Sequence, residues 1–318
     1  MARWTWHLNG IDEAGYGPRL GPLVQACARL AWFDAEPFDF DDWEAVQAQV
    51  GRAGEAVQAA AAQAGVAVGD SKALYAKGGA AGLWRAVGAL AAGQEGASST
   101  DCPWPEWLGL QQEQHADGEH PSAGLDPATL FHDSPATPAV WQGRLQASAW
   151  CLFPGAFNSW TVTRNKAEIN WELTRRLIQA ASATAQPTVW TLDRQGGRRR
   201  YAAQLGELFA PAYVRVVDES AAMAVYRVQG GKPGVSHNAW VVVKVAGEQW
   251  SPATALASMV AKSLREAAMA RFNTHFSERY PTLKPTAGYP TDAERWRAAL
   301  LELDPAHGVD WMRLWRCK

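Results

Sequence analysis

Short runs rich in β-branched and aromatic residues alternate along this chain with Ala-rich stretches of helical length, and that alternation restricts the fold more than any other feature. Trp4, Trp6 and Leu8 point one way and Thr5, His7 and Asn9 the other, so residues 4–12 predict a strand running into Asp12. A turn-rich stretch over 14–22 separates it from a second strand over 23–33, expected to pair antiparallel with the first. An Ala- and Gln-rich helix is expected within 35–69, ahead of Asp70-Ser71-Lys72, and another near Gly82–Ala92. Further strands at 147–153, 188–193, 213–217 and 239–245 interleave with helices at 166–180 and 200–209. Ser251-Pro252 opens a helix, with Ser as N-cap and Pro at the first helical position, that runs to about Phe272. The expectation is one α/β domain over 1–318, with a mixed central sheet flanked by helices and a C-terminal helical part over 252–318. Trp311 to Arg316 reads as an amphipathic helix, docked on the core or presenting a partner face.

Composition removes several classes. The chain of 318 residues is 47% hydrophobic, which excludes a disordered polymer, and no stretch approaches the ~20 apolar residues of a membrane span. The N-terminus has no apolar signal-peptide core, so a cytoplasmic monomer without membrane contact is expected. Cys27, Cys102, Cys151 and Cys317 lack metal-site spacing and read as buried free thiols. Charge is divided: residues 1–143 carry 7 basic and 18 acidic side chains, and residues 144–318 carry 23 and 14. A polyanion would therefore meet its positive surface in the second half, unless solvated charge is merely uneven. Residues 86–143 hold eight acidic residues and no Lys or Arg, so about 94–140 reads as an insertion or flap, with Trp104, Trp107 and Trp141 packing it down.

Four acidic residues stand out by position. Asp12 and Glu13 lie where a strand meets a Gly-rich turn, Asp193 ends another apolar strand, and Glu266 lies on the long helix after Ser251. Ends of neighbouring strands converge, so such residues can share one site. Clustered carboxylates repel one another unless cations neutralise them, and hard oxygen ligands suit a pair of Mg²⁺ or Mn²⁺ ions for attack on a phosphodiester. Each also has an ordinary reading: Asp193 as a turn residue, Glu266 as the i,i+4 partner of Lys262 or part of a capping box.

Gly10-Ile11-Asp12-Glu13-Ala14-Gly15-Tyr16-Gly17-Pro18 with Gly21-Pro22-Leu23-Val24, then Asp70-Ser71-Lys72, Thr188 to Asp193, Ala255 to Lys262 with Glu266, and Gly288-Tyr289-Pro290-Thr291 occur in an order that resembles the type 2 ribonucleases H, ribonucleases HII and HIII. The resemblance implies a ribonuclease H-like α/β fold. It implies Asp12, Glu13, Asp193 and Glu266 as catalytic metal ligands, Asp12 bridging two ions, and a water attacking the phosphate 3′ to a ribonucleotide to leave 5′-phosphate and 3′-hydroxyl ends. Gly15, Tyr16 and Gly17 would meet the ribose 2′-hydroxyl, Lys72 and Lys262 would stand in the nucleic-acid site, and Tyr289 would stack on a sugar. Glycines at 15 and 17 fit this role by permitting positive φ and close approach to a ligand. The partners implied are RNA/DNA hybrids or duplex DNA containing ribonucleotides.

Three departures mark a divergent branch. Tyr16 stands where the family has Arg or Lys, leaving Arg19 as a replacement contact. The run Arg194-Gln195-Gly196-Gly197-Arg198-Arg199-Arg200 replaces a Gly after the carboxylate and reads either as a phosphate clamp, with Arg198 in contact, or as a solvated loop. Glu266 matches ribonuclease HIII and not HII. Two rival functions stay open: the same nuclease redirected to another nucleic-acid structure, and a non-catalytic nucleic-acid-binding protein on the same scaffold.

Overall fold

The computed structural model describes residues 4–34, 37–92, 108–113, 143–182, 186–232, 235–306 and 308–317. Its centre is an eight-stranded sheet in the order β3-β4-β2-β1-β5-β8-β7-β6. The strands are β1 (Trp4–Ala14), β2 (Leu23–Asp34), β3 (Leu108–Glu113), β4 (Gly143–Leu152), β5 (Thr188–Asp193), β6 (Tyr213–Glu219), β7 (Met223–Lys232) and β8 (Val235–Lys244). β1, β5 and β8 run parallel, so their carboxyl ends lie together. β2 is antiparallel to both β1 and β4, and β7 to both β8 and β6. The sheet is mixed and flanked by helices, as the strand and helix alternation implies.

The helices are α1 (Trp43–Gln63), α2 (Ser71–Ala92), α3 (Pro154–Thr161), α4 (Lys166–Ala181), α5 (Ala202–Phe209), α6 (Pro252–Arg279), α7 (Pro290–Leu303) and α8 (Trp311–Leu314). On one face α1, α2 and α6 close the core around Trp6, Leu8, Val24, Leu256 and Val260. On the other, α4 and α5 close a second cluster around Ile11, Trp190, Tyr226 and Leu205. Leu20, Phe272, Phe276, Trp296 and Leu314 bind the C-terminal helices into a third. None of the described helices is long and apolar enough to cross a membrane.

Several expectations change. The polar row of β1 is covered like the apolar one: His7 and Asn9 are buried, and Arg29 bridges from Asn9 Oδ1 to the carbonyl of Ala181, the last residue of α4. β7 has no counterpart in the sequence reading; its Ala224 to Val228 run is buried, and Gly230 and Gly231, both at positive φ, lie near its end. α2 starts at Ser71, well before Gly82, and breaks at Gly79 (φ 61°, ψ −167°). α3 and α7 were not separately expected, and both start on Pro154 and Pro290 at the favoured first position. Of the acidic segment 94–140 only β3 is described, and it adds an edge strand parallel to β4. Cys102, Trp104, Trp107 and Trp141 lie outside the described residues. Cys27 and Cys151 are buried, but Cys317 is exposed, contrary to the reading of all four as buried.

The N-cap of α6 forms as expected, Ser251 accepting from the backbone of Thr254, and the helix extends to Arg279. Its first turns press directly on the sheet. Thr191 Oγ1 meets the hydroxyls of Ser251 (2.8 Å) and Thr254 (2.7 Å) and donates to the carbonyl of Asn9 (3.1 Å). Gly10 makes this approach possible, since a Cβ there would lie 2.0 Å from Thr254 N and 2.1 Å from the carbonyl carbon of Ala253. Both obstacles are backbone, so neither can rotate away. Gly10→Ala should therefore lower unfolding stability by about 3 kcal/mol or more, measured by denaturant titration. A loss below about 1 kcal/mol would show that α6 can back away from β1 without penalty.

Candidate active site

A cleft of about 470 Å³ opens at the carboxyl ends of β1, β5 and β8. The parallel register pairs Ile11 with Leu192, so the next step sets Asp12 beside Asp193. Strand alternation turns Asp12 towards Ser258 of α6 and Glu13 towards Asn170 of α4. Asp12, Glu13 and Asp193 all line the cleft, as do Asp70, Ser71, Lys72, Lys262, Arg265 and Tyr289.

The three carboxyls are crowded, and their acidity shows it. Burial first, then the charges of Glu13 and Asp193, raise the Asp12 pKa well above the carboxylate range, against hydrogen bonds from Ser258 and the Glu13 backbone. The latter bond is 2.7 Å. Glu13 is pushed up to about 7, chiefly by burial and further by Asp193, with Asn170 and Lys72 opposing. Asp193 is raised by burial, held back by the backbone N–H groups of Gly247 and Arg194 and by the charges of Lys72 and Arg194. Such a site has a deficit of positive charge that protons or cations must supply.

The Asp70-Ser71-Lys72 motif has a distinct task for each residue. Asp70 Oδ1 caps α2 by accepting from the backbone of Lys72 (2.8 Å) and Ala73 (3.3 Å). Ser71 is buried, with its hydroxyl 3.0 Å from that of Ser258, which in turn serves Asp12. Lys72 extends into the cleft, where both Glu13 and Asp193 feel its charge.

The expected fourth carboxylate, Glu266, is engaged by neighbouring side chains. Glu266 is not part of the cleft lining; it accepts from Lys262 Nζ (2.8 Å), Arg265 Nη1 (3.2 Å) and Tyr75 OH (3.0 Å). The i,i+4 pairing with Lys262 is therefore its observed state, and two of its partners, Lys262 and Arg265, themselves line the cleft. Glu248 lines the cleft instead. It sits in a short 3-10 turn, Gly247–Gln249, entered through Ala246 in the left-handed region (φ 54°, ψ 49°). The Gly247 N–H of the same turn donates to Asp193 Oδ1 (2.9 Å). One turn thus orients Asp193 and presents Glu248. Only its place just past the β8 end and before the Ser251 cap could have pointed to it in the sequence.

The remaining site residues divide. Gly15 adopts φ 85°, and a Cβ there would fall 2.5 Å from the Pro22 carbonyl. Gly17 lines the cleft but has no left-handed φ, which corrects the paired-glycine expectation. Tyr16 lines the cleft with the Lys166 ammonium 4.6 Å from its ring centre. Tyr289 faces the cleft half-exposed, under the Arg265 guanidinium at 5.5 Å. Its loop is rigid: Asp292 Oδ2 accepts from Thr286 Oγ1 (2.6 Å) and the Ala287 backbone (2.7 Å). Arg19 and Arg198 stand outside the lining. Arg19 Nη1 donates to the Arg316 carbonyl (3.3 Å), and Arg198 lies over Trp171 (5.9 Å) and Tyr201 (5.6 Å). Arg198, the arginine expected to clamp phosphate, thus packs beside aromatic rings, and its Nη1 has no hydrogen-bond partner among the described residues. Among the described residues no three His, Cys, Asp or Glu side chains already enclose a single metal position.

No protein-family model and no curated protein sequence matches the chain. Solved structures do. A PCNA:RNase HII complex from Archaeoglobus fulgidus matches 98% of this chain and 94% of its own at 15% identity and a TM-score of 0.41. Ribonuclease H2 from Pyrococcus horikoshii matches 97% and 92% at 15% identity and 0.42. Bst-RNase HIII in complex with Mn²⁺ matches 98% and 66% at 14% identity and 0.47. The chain resembles ribonucleases HII and HIII.

The crowding of the carboxyls has a measurable consequence. Glu13 has a folded-state pKa of about 7 against an ordinary 4.5, so the folded protein binds that proton more tightly than the unfolded chain. The stability it contributes is complete below its ordinary pKa and lost as pH rises through the folded value. In metal-free buffer the melting temperature of Glu13→Gln should rise relative to wild type between about pH 5 and pH 8, then level off. A difference that stays constant over that window would show that Glu13 is not crowded.

Proposed function

We propose that this chain is a metal-dependent endonuclease of the ribonuclease H type, a divergent relative of ribonucleases HII and HIII, acting on RNA/DNA hybrids or on ribonucleotides embedded in duplex DNA. The observation that carries the reading is the convergence of Asp12, Glu13, Asp193 and Glu248 on one cleft that also presents Lys72, Lys262 and Tyr289. The donor set fits hard divalent cations: four carboxylates, three of them with raised pKa values that report missing positive charge. Asp12, Glu13, Asp193 and Glu248 would hold Mg²⁺ or Mn²⁺. Two such ions, when bound, polarise a phosphodiester and make a water nucleophilic near neutral pH.

The chain's own groups account for positioning. Ser258 and the Gly247 N–H orient the Asp12 and Asp193 carboxylates, and Ser71 orients Ser258. Lys72 places a cation where a scissile phosphate would lie, beside Glu13 and Asp193. Gly15, Tyr16 and Gly17 line the cleft, where their backbone groups would read a ribose 2′-hydroxyl, the group that separates RNA from DNA. Tyr289 offers a stacking face on a rigid loop, with Arg265 bracing its ring. Water attacks the phosphate 3′ to the ribonucleotide, the O3′ bond breaks, and the ends are 3′-hydroxyl and 5′-phosphate.

The test is cleavage of a duplex DNA with one ribonucleotide, beside a uniform RNA/DNA hybrid and an all-DNA control, with Mg²⁺ or Mn²⁺. Asp12→Asn, Asp193→Asn and Glu248→Gln should each lose about 10²-fold or more of the rate while remaining folded. Glu266→Gln, outside the cleft, should lose no more than about ten-fold. A dead Glu266→Gln beside an active Glu248→Gln would overturn the ligand assignment. No cutting of either ribonucleotide substrate by folded wild type would overturn the function.

A further inference from the structure

Arg316 is fully buried, and its Nε, Nη1 and Nη2 atoms have no hydrogen-bond partner among the described residues. A guanidinium is among the costliest groups to bury without a counter-charge. The tail that carries it is nevertheless held firmly. Asn158 Nδ2 donates to the carbonyls of Met312 and Trp315 (2.8 Å each), and Asn158 Oδ1 accepts from Cys317 N (2.9 Å). Arg316 N donates to the Arg19 carbonyl (2.8 Å), Arg19 Nη1 returns to the Arg316 carbonyl (3.3 Å), and Trp315 bridges to Leu20. The tail is therefore built to keep Arg316 where it is.

Its surroundings add positive charge. The Phe157 ring lies 5.3 Å from the guanidinium, and the charged groups that act on it are Arg265 and Arg19, with the Tyr289 hydroxyl. Burial and these like charges lower Arg316 to about 9; burial, Arg316 and Arg19 lower Lys166 to about 8. None of Arg19, Lys166 and Arg316 has a carboxylate partner among the described residues. The group also adjoins the cleft: Lys166 covers the Tyr16 ring, and the Arg19 backbone N–H donates to the Gly288 carbonyl (2.7 Å), next to Tyr289.

We propose that Arg19, Lys166 and Arg316 form an anion subsite beside the Tyr16 turn that takes a backbone phosphate of the bound nucleic acid, away from the phosphate that is cleaved. The proposal rests on the nuclease reading for the identity of the ligand, and on the unpaired buried guanidinium for the existence of the site. Half-exposed Lys166 and Arg19 form its open side, and Arg316 supplies the buried charge behind them. It also accounts for Tyr16. With a tyrosine at position 16, the positive charge comes from Arg19 farther along the turn, from α4 and from the C-terminal tail.

The test has two arms, both free of catalysis. First, thermal melting of the full-length protein is measured in inorganic phosphate and in chloride at equal ionic strength. Wild type should gain about 2 °C or more from phosphate, and Arg316→Met should gain nothing while melting no lower than wild type in chloride. Second, binding of an RNA/DNA hybrid is measured in chelator over a range of salt. Arg316→Met should bind on the order of ten-fold more weakly, with the log–log salt slope reduced by about one. Lys166→Gln, changed at a half-exposed position, serves if Arg316→Met does not fold, with the same losses expected. An equal phosphate gain in wild type and variant, or none in either, overturns the subsite. A lost phosphate gain with unchanged hybrid binding overturns the nucleic-acid phosphate as its ligand. Absence of cleavage by wild type with both effects intact would overturn the nuclease reading and leave the subsite in place.

Discussion

The contact on which most of this molecule depends is the backbone-to-backbone approach of α6 to β1 at Gly10. It draws the first turns of a 28-residue helix into the centre of the fold, where its residues 252–261 are buried. Small residues make that depth possible, and the hydroxyls of Thr191, Ser251 and Thr254 satisfy one another where the helix meets the sheet. The same approach sets Ser258 against Asp12 and brings Ser71 into reach of Ser258. Motifs nearly 190 residues apart thus act on one carboxylate because a single position lacks a Cβ.

Electrostatics sets the second constraint. The carboxyls at the strand ends crowd one another, while unpaired cations collect a short way off around Arg316. Each arrangement is electrostatically costly by itself. A negatively charged polymer with divalent cations would relieve both at once, the cations at the carboxylates and a phosphate at the arginines. The division of charge between the two halves of the chain takes on meaning here, since Lys166, Lys262, Arg265 and Arg316 all come from the basic half.

The account of Glu266 shows where reading along the chain loses its force. On an isolated helix Glu266 pairs with Lys262 or faces a site with equal ease, and the ordered motifs favour the site. In the structure Glu266 is held by Lys262, Arg265 and Tyr75, beside the cleft that Lys262 and Arg265 line. Glu248 occupies a three-residue turn with no periodicity, and nothing in the local sequence says that such a turn will close over a strand end. Arg198 shows the same limit: an arginine run next to a carboxylate suggests phosphate, and the Trp171 and Tyr201 rings beside it are brought together only in three dimensions.

What the sequence by itself determined is local and periodic. It includes the strands that carry Asp12 and Asp193, the Ser251-Pro252 start of α6, the antiparallel β1–β2 pair, and the glycine needed at position 15. These follow from side-chain alternation, capping chemistry and backbone sterics within a few residues. Tertiary structure alone decided that both faces of β1 are covered, that β7 inserts beside β8, that Glu248 lines the cleft while Glu266 pairs with Lys262 and Arg265, and that Arg316 is buried with no partner among the described residues. Each of these depends on which distant element packs against a residue, and packing is settled by the whole chain at once.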